Sequence, residues 1–309
     1  MGSVALGREG SEQFFINLAK VVAREPPDRT VNYLLWAYRT KVLPQLRERT
    51  QADYRKRLDL IETRFGSLSL KAMSSDLVAR HIIEWRDTAT ESSRQRDYLI
   101  QVLSLLLNWG VRERLLEKNQ AALIDRQYSG DRRDKIWSTK QQEAFLVAAP
   151  DEVRWAFVLA VETGQRQGDL MKLPWSSVKD TIIELRQSKG EVPVAIPISP
   201  ELKACLRTIP RRATTVLTSS HRRPWGEGAN GFRSAWGKAV RRAGVSGVSF
   251  HDLRGTFATR RLAAGWSLEE VAYCTGHSLR DLRSLERYVN REVVAAERAH
   301  AIARRLGST

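Results

Sequence analysis

The sequence contains little cysteine and no long hydrophobic run. Only two cysteines, Cys205 and Cys274, occur among the 309 residues, and they lie far apart in the chain. A disulfide framework and a zinc finger are therefore both unsupported, and we expect two reduced, buried thiols. No apolar run approaches the ~18 residues that span a bilayer, and residues 1–10 lack the layout of a secretory signal. We therefore expect a cytoplasmic protein without a membrane partner.

Acidic residues are also scarce relative to basic ones. The chain has 51 Lys and Arg against 35 Asp and Glu, a formal net charge of +16, and the excess is spread over both halves. A field of this sign attracts polyanions, nucleic acid first and an anionic membrane surface second. A basic protein without a nucleic-acid role is the alternative. The sequence also has no Walker motif for a nucleoside triphosphate and no carboxylate cluster for Mg²⁺, so no cofactor is expected.

The first ~130 residues are predicted to form helices only. The apolar stripe that begins at Val31 follows a predicted N-cap at Thr30, and the stripe over 54–65 lies between a predicted cap at Thr50 and a stop at Gly66. Further helices are predicted over about 12–24, 75–85 and 93–109. Four or five helices with short connections indicate a small helical bundle.

The second half of the chain has a mixed pattern. Residues 126–137 are charged and show no helical stripe, so they form either an exposed linker or a surface loop. Two β-type runs, 182–185 and 192–196, flank a glycine-containing turn, which predicts a hairpin. Helices are predicted over about 139–149 (capped by Thr139), 152–162, 200–209, 229–243, 251–263, 267–273 (capped by Ser267) and 292–305. The last of these has a loose apolar stripe that includes Val293, Val294, Ile302 and Leu306. The predicted fold class is therefore mainly α with a small β-hairpin (α+β).

Two basic side chains near the hairpin are candidates for chemistry. Arg166 begins a helix just after Gly164, and Asp169 lies three residues later on the same face, where it can hold the guanidinium in an ion pair. A helix N-terminus with an oriented arginine is able to bind phosphate, although an ordinary surface ion pair gives the same pattern. Lys189 lies in the hairpin turn, where it could reach a phosphate or only increase solubility.

Three further features follow nearer the C-terminus. His251 and Arg254 are three residues apart at the start of a helix, so both point the same way and could act together on a phosphate. His277 follows Gly276 and could be a second hydrogen-bond donor or a helix C-cap. Tyr288 could be a covalent nucleophile if nearby cations stabilise its anion, or it could be a core residue.

Each of these features is weak singly, but their order is specific. The series comprises Arg166, Lys189, His251 with Arg254, His277 and Tyr288. It resembles the tyrosine recombinase family, which includes the phage integrases and Xer-type resolvases, over about residues 30–306.

The resemblance implies how the site would hold a phosphate. Arg166 and Arg254 are similar to the two arginines that clamp the scissile phosphate, and Asp169 is similar to the acidic position that supports the first of them. His251 and His277 match the two positions that hydrogen-bond to the phosphate. These side-chain cations would take the place of a metal ion.

The resemblance also implies a nucleophile and an acid. Tyr288 matches the tyrosine that forms a 3′-phosphotyrosyl bond, and Lys189 matches the lysine that protonates the 5′-oxygen leaving group. The gap from His277 to Tyr288 is slightly longer than in Xer-type members. Tyr273 is the other tyrosine nearby, but it precedes His277 in a helix that we expect to be buried, so we assign Tyr288.

The resemblance divides the chain into functional parts. Residues 30–125 would be a helical core-binding domain that contacts DNA, 126–137 a linker, and 138–309 the catalytic domain, with a helix over about 292–306 that docks on a neighbouring protomer. Residues 1–29 would be an N-terminal extension and the remnant of an arm-binding region, which was either lost by truncation or is naturally absent.

The implied function is site-specific recombination through a covalent phosphotyrosine, without metal or ATP. The implied partners are double-stranded DNA and three further copies of the chain, in a tetramer on two DNA sites that forms from monomers or weakly associating protein in the bacterial nucleoid. Two alternatives are a type IB topoisomerase, which relaxes supercoils with the same residue types, and a catalytically silent DNA-binding protein.

Overall fold

The computed structural model describes residues 29–128, 133–226, 230–280 and 282–306. The chain divides into two compact units, Met1–Gly130 and Asp131–Thr309. The predicted helix over 12–24 and most of the N-terminal extension lie outside the described residues, as do the centre of the predicted linker and position 229 of the predicted helix over 229–243. Within the described ranges, no helix has both the length and the apolar character needed to cross a membrane.

The first unit is a helical bundle. The α-helices of its described residues are α1 (Val31–Lys41), α2 (Glu48–Phe65), α3 (Leu70–Met73), α4 (Val78–Ala89) and α5 (Ser93–Arg112). The stripe predicted in α1 is confirmed, since Val31, Leu34 and Leu35 are fully buried, and Thr30 caps the helix by accepting a hydrogen bond from the Tyr33 amide at 3.3 Å. These residues share one core with the buried faces of α2, α4 and α5.

The predicted start of α2 is wrong. The N-cap position is held by Arg47, which makes no side-chain cap hydrogen bond, and Thr50 lies inside the first turn. Gly66 does end the helix, as predicted. A β-carbon at Gly66 would lie 2.1 Å from the Asn32 side-chain oxygen, so close packing against α1 explains the glycine.

The second unit combines nine α-helices with one hairpin in its described residues. In chain order they are α6 (Thr139–Ala148), α7 (Asp151–Thr163), α8 (Gln167–Met171), β1 (Ile182–Arg186), β2 (Pro193–Pro197), α9 (Pro200–Thr208), α10 (Asn230–Arg242), α11 (Asp252–Ala263), α12 (Leu268–Thr275), α13 (Arg283–Glu286) and α14 (Arg291–Leu306). The strands pair antiparallel with Leu185 opposite Val194. Mainly helical structure with this small sheet confirms the predicted fold class.

Two sequence expectations for the second unit need correction. The cap of α6 is Ser138 rather than Thr139, because Ser138 and Gln141 form a reciprocal capping box. Cys205 is only partly buried, whereas Cys274 is buried as expected. Burial raises the pKa of the Cys205 thiol to about 12 and that of Cys274 to about 11, so both thiols are protonated at neutral pH.

Two hydrophobic clusters support the second unit. In the larger one, the rings of Trp137, Phe145, Phe157 and Trp236 pack at centroid distances between 4.5 and 6.3 Å. The smaller cluster joins β2 to α11 and α12. Helix α11 belongs to both through Leu253 and Phe257, so its N-terminal end is held firmly.

The last helix, α14, packs against α11 of its own unit. Val294 lies against the smaller cluster, and the Arg298 Nε donates to the Leu262 carbonyl at 2.9 Å. Beyond Arg298 the apolar side chains face solvent, with Ile302 50% and Leu306 73% exposed. The first half of the predicted apolar stripe therefore packs against this chain, and its second half is exposed to solvent.

Candidate active site

A left-handed turn positions the first candidate arginine. Helix α7 ends at Gly164, which has φ 66°, and Arg166 is the N-cap of α8 two residues later. A β-carbon at Gly164 would lie 2.5 Å from the Phe257 ring, so both the backbone angle and the close packing require glycine. The turn thus fixes the start of α8 against α11.

Arg166 contacts the hairpin and not the acid that was expected to hold it. Its Nη1 donates to the Gln187 Oε1 at 2.6 Å. No ion pair joins Arg166 to Asp169; the Asp169 Oδ1 accepts instead from the Ser188 amide at 2.8 Å. The expected direct support is therefore replaced by an indirect one, in which Asp169 holds the end of β1 that carries Gln187.

Arg254 is the most deeply enclosed cation of the site, at 2% exposure. Its Nη1 donates to the Gly164 carbonyl at 2.7 Å, and its Nη2 donates to the Thr275 carbonyl. No acceptor reaches its Nε. Burial, together with the charge of Arg166, lowers the pKa of Arg254 to about 9, so it is still protonated at neutral pH. A buried arginine without a carboxylate partner is well suited to bind an anion.

His277 lies beside Arg254 and is neutral. Its Nδ1 is 2.8 Å from the Thr275 Oγ1, which also contacts the Val271 carbonyl at 2.6 Å. The Thr275 hydroxyl has a single proton, which it donates to the Val271 carbonyl, so its oxygen must accept from His277. The His277 Nδ1 therefore carries the ring proton, and its Nε2 is an acceptor. Burial, with added repulsion from Arg254 and Arg166, lowers the pKa of His277 to about 3.

Tyr288 and His251 meet at the open side of this group. The Tyr288 Oη lies 3.3 Å from the His251 Nε2, and the Tyr288 ring centroid lies 5.8 Å from that of His277. Gly255 lets the chain approach α11 closely, since a β-carbon there would lie 2.9 Å from the Tyr288 carbonyl oxygen. Tyr273 was expected to be buried but is 64% exposed, so its burial was a wrong reason to set it aside. The contact with His251 distinguishes Tyr288.

Lys189 is the candidate that the structure leaves at the periphery. It lies exposed in the turn after β1, next to Gly190 with φ 80°. Within the described residues it makes no hydrogen bond or ion pair of its own. The turn is nevertheless anchored one residue away, where the Ser188 amide is held by Asp169.

Two polar residues of the site were missed by sequence reasoning. Gln187 is fully buried and contacts Arg166, and Thr275 contacts both Arg254 and His277. Both lie next to predicted site residues, Thr275 two positions before His277 and Gln187 two before Lys189. Gln187 falls in the predicted turn and Thr275 just beyond the predicted helix over 267–273. Polar side chains are ordinary at such positions, so the sequence carried no signal that marked either residue.

The geometry indicates chemistry at a tetrahedral anion. The guanidinium groups of Arg166 and Arg254 lie with the neutral imidazole of His277 on one side of the site. Beside them lies the Tyr288 phenol, in contact with the His251 imidazole. Such cations offset the negative charge that repels a nucleophile from a phosphodiester. Within the described residues no group of three or more His, Cys, Asp or Glu side chains could hold a metal ion.

Comparison with known proteins identifies the family. The profile of the Phage integrase family matches residues 137–293, which include every candidate site residue. The chain belongs to the phage integrase family. All the candidate site residues therefore lie inside the region that matches the family.

The proteins of similar sequence include integrases and a recombinase. The integrase of Escherichia phage lambda is 25% identical over 251 residues, which cover 77% of this chain and 68% of the relative. The shufflon-specific DNA recombinase of Escherichia coli is 28% identical over 137 residues, 43% of this chain. The chain covers only a third of that recombinase.

Solved structures of integrases share the fold. A lambda integrase dimer bound to a COC′ core site superposes with a TM-score of 0.70 at 20% identity, over 92% of this chain and 82% of that one. The Tn1549 transposon integrase in complex with a circular intermediate DNA gives a TM-score of 0.69 at 15% identity, over 85% and 95%. Phage and transposon integrases therefore share the fold of this family member.

Proposed function

We propose that this protein is a site-specific tyrosine recombinase that cleaves and rejoins DNA through a 3′-phosphotyrosyl bond. The observation that carries the proposal is the contact between the Tyr288 phenol and the His251 imidazole, beside His277 and the buried Arg254. A phenol, a group able to take its proton and an enclosed cation are what nucleophilic attack on a phosphodiester needs. Family membership and the relatives named as recombinase and integrases support the same activity.

In the proposed cleavage step, the Tyr288 oxygen attacks the scissile phosphorus. Its proton passes to the His251 Nε2, a new bond forms between that oxygen and phosphorus, and the bond from phosphorus to the 5′-oxygen breaks. Arg166 and Arg254 bind the non-bridging oxygens, whose negative charge grows during attack. By analogy with an oxyanion-hole donor, each arginine contributes about 3 kcal/mol of transition-state stabilisation.

Lys189 is proposed to protonate the leaving 5′-oxygen. The lysine is exposed at the tip of the hairpin, and the hairpin is anchored to the site through Asp169 and Gln187. A short movement of the turn on DNA would bring the ammonium to the leaving group. The phosphotyrosine keeps the energy of the phosphodiester, so rejoining needs no ATP and the cations replace a metal.

The proposed partners are double-stranded DNA and further copies of this chain. A net charge of +16 favours DNA, and the lambda and Tn1549 integrases of similar fold were solved with DNA. We propose that residues 30–125 form the core-binding domain. The linker was expected over 126–137 and the catalytic domain over 138–309, but Trp137 belongs to the larger core of the second unit, so we propose that the catalytic domain begins at Trp137. A lambda integrase tetramer was solved on a Holliday junction, and we propose the same stoichiometry here, with residues from about 292–306 docking on a neighbour.

The decisive experiment traps the covalent intermediate. The DNA that flanks the gene is searched for inverted repeats around a short spacer, and nicked suicide duplexes are built on the repeats found. The duplexes are incubated with the protein in EDTA, and adducts are resolved on denaturing gels. Wild-type protein should form an adduct, and Tyr288→Phe should form none while binding the duplex with nearly unchanged affinity.

Tyr273→Phe is the matched control, because Tyr273 is the other tyrosine near the site and is exposed to solvent. It should form the adduct at the wild-type rate. An adduct in Tyr288→Phe, or its loss in Tyr273→Phe, would assign the nucleophile elsewhere. Absence of any adduct with the wild-type protein would leave a DNA-binding protein without cleavage activity.

A further inference from the structure

A buried glutamine joins the segments that carry the proposed site. Gln187 has no solvent exposure. Its Oε1 accepts from the Arg166 Nη1 at 2.6 Å, and its Nε2 donates to the Thr275 carbonyl at 2.9 Å and to the Gln165 Oε1 at 2.7 Å. Its side chain therefore contacts the N-terminus of α8 and the C-terminus of α12 from the end of β1.

The orientation of the Gln187 amide is fixed by its partners. A guanidinium can only donate and a backbone carbonyl can only accept, so the oxygen must face Arg166 and the nitrogen must face Thr275. Gly276 makes room for the amide, since a β-carbon there would lie 2.6 Å from the Oε1. Gly276 also has φ 66°, so two separate constraints favour glycine at this contact.

The same Thr275 carbonyl connects Gln187 to the second arginine. It accepts from the Arg254 Nη2 as well as from the Gln187 Nε2. Arg166, Gln187, the Thr275 carbonyl and Arg254 thus form one chain of hydrogen bonds. In the described part of the protein, Gln187 is the one residue to which the Arg166 side chain donates a hydrogen bond.

We propose that Gln187 is a positioning residue that sets the place of the Arg166 guanidinium relative to Arg254. The inference rests on the proposed function, because it assumes that both arginines bind the scissile phosphate. Arg166 is only partly buried and carries a long side chain with several rotamers. Without the amide oxygen the guanidinium keeps its charge but loses its fixed direction, and a displacement of about 1 Å can slow a reaction about 100-fold.

The test compares two substitutions of buried glutamines. Gln187→Met removes the three hydrogen bonds with little change of volume. Gln120→Met is the matched control, because Gln120 is 2% exposed and donates to the Ser74 carbonyl and the Asp76 Oδ1, both at 2.8 Å, in the first unit. Cleavage of the suicide duplex is timed at saturating protein, below the melting temperature of each variant, and duplex affinity is measured separately.

Gln187→Met should cleave roughly 10- to 100-fold more slowly than wild type with duplex affinity nearly unchanged, and Gln120→Met should cleave at the wild-type rate. The effect should vanish in an Arg166→Ala background, since a residue that acts through Arg166 has nothing left to position. Additive losses in that double variant would show a general structural role and overturn the proposal.

A second variant keeps the test valid if Gln187→Met does not fold. Gln187→Asn keeps an amide but is one methylene shorter, so it should fold and still cleave slowly. If wild type forms the adduct and both Gln187 variants form it equally fast, the positioning role is wrong while the proposed function stands. If wild type forms no adduct, the proposed function itself fails.

Discussion

Arg166 and Arg254 carry the same charge but are held in different ways. Arg254 is almost completely buried and satisfies two backbone carbonyls, one at the end of α7 and one at the end of α12. Arg166 is partly exposed and has a single side-chain partner, Gln187. Loss of the first side chain therefore disturbs the fold as well as the site, whereas loss of the second disturbs the site alone.

This difference predicts unequal losses of stability for two variants with the same catalytic defect. Both Arg166→Ala and Arg254→Ala should reduce adduct formation by orders of magnitude. Arg254→Ala should also lower the free energy of unfolding by roughly 2–5 kcal/mol, because it leaves a cavity and removes a donor from two buried carbonyls, of which only that of Thr275 keeps another donor in the described part of the chain, Gln187. Arg166→Ala should lower this free energy less, by about 1 kcal/mol, because the one hydrogen bond lost among the described residues is that to Gln187 and Arg166 is partly exposed, so water can enter the space that its side chain leaves. Urea denaturation measures both, and equal destabilisation by the two substitutions would contradict the distinction.

The buried imidazole of His277 predicts a pH dependence of stability. Its pKa is about 3 in the folded protein against an ordinary value of 6.5, so only the unfolded chain takes up this proton in between. The unfolded state then binds more protons, and stability must fall as the pH drops from about 6.5 towards 3. We expect His277→Asn to show a shallower decline of stability over this range in urea denaturation. An unchanged slope would mean that His277 titrates normally.

The candidate residues of the proposed site came from the order of their motifs along the chain and from the family which that order resembles. The partners of those residues could not be predicted in the same way. Asp169 is correctly spaced for an ion pair with Arg166. The fold brings the Ser188 amide close instead, and this amide donates a hydrogen bond to the Asp169 carboxylate. Gln187 lies 21 residues from Arg166 and 88 from Thr275, separations at which no periodicity indicates contact.

At the scale of elements, helices with strong apolar stripes were predictable and their caps were less so. The stripe of α1 and its Thr30 cap agree with the structure, as does the capping of α12 by Ser267. The start of α2 failed because a threonine was taken as the cap, whereas the helix begins after Arg47 without any side-chain cap. Tertiary packing of Leu58, Ile61 and Phe65 stabilises this helix, so its first turn needs no sequence signal.

Helix α14 allows its two ends to be tested separately. Val294 and Arg298 attach its first half to the same chain, while Ile302 and Leu306 are exposed. Deletion of residues 300–309 should therefore leave the melting temperature and single-site binding nearly unchanged, but it should abolish cooperative loading and recombination on paired sites.

Deletion of residues 293–309 is the comparison. It also removes the contacts of Val294 and Arg298, so it should lower the melting temperature. Thermal unfolding and gel-shift stoichiometry distinguish the two deletions. Normal recombination by the shorter deletion would contradict a docking role for the end of α14.

At the scale of the whole molecule, two compact units with separate hydrophobic cores lie in one strongly basic chain. Among the described residues, each hydrophobic cluster is formed by side chains of a single unit. If both units bind DNA, as proposed, the chain between them makes the second contact intramolecular once the first has formed. Charge and connectivity should therefore act together on affinity.

The last prediction concerns this joint effect. Because each neutralised phosphate releases condensed counterions, the logarithm of affinity should fall with the logarithm of salt concentration, with a slope of about −0.9 per phosphate contacted. The two compact units, residues 1–130 and 131–309, expressed separately, should each bind the duplex more weakly and with a smaller slope than the intact chain. Fluorescence anisotropy between about 50 and 200 mM salt measures all three. A fragment whose affinity and slope equal those of the whole chain would show that one unit alone contacts DNA. A second unit bound to the same duplex would contact more phosphates, which steepens the slope, and its high effective concentration would raise the affinity.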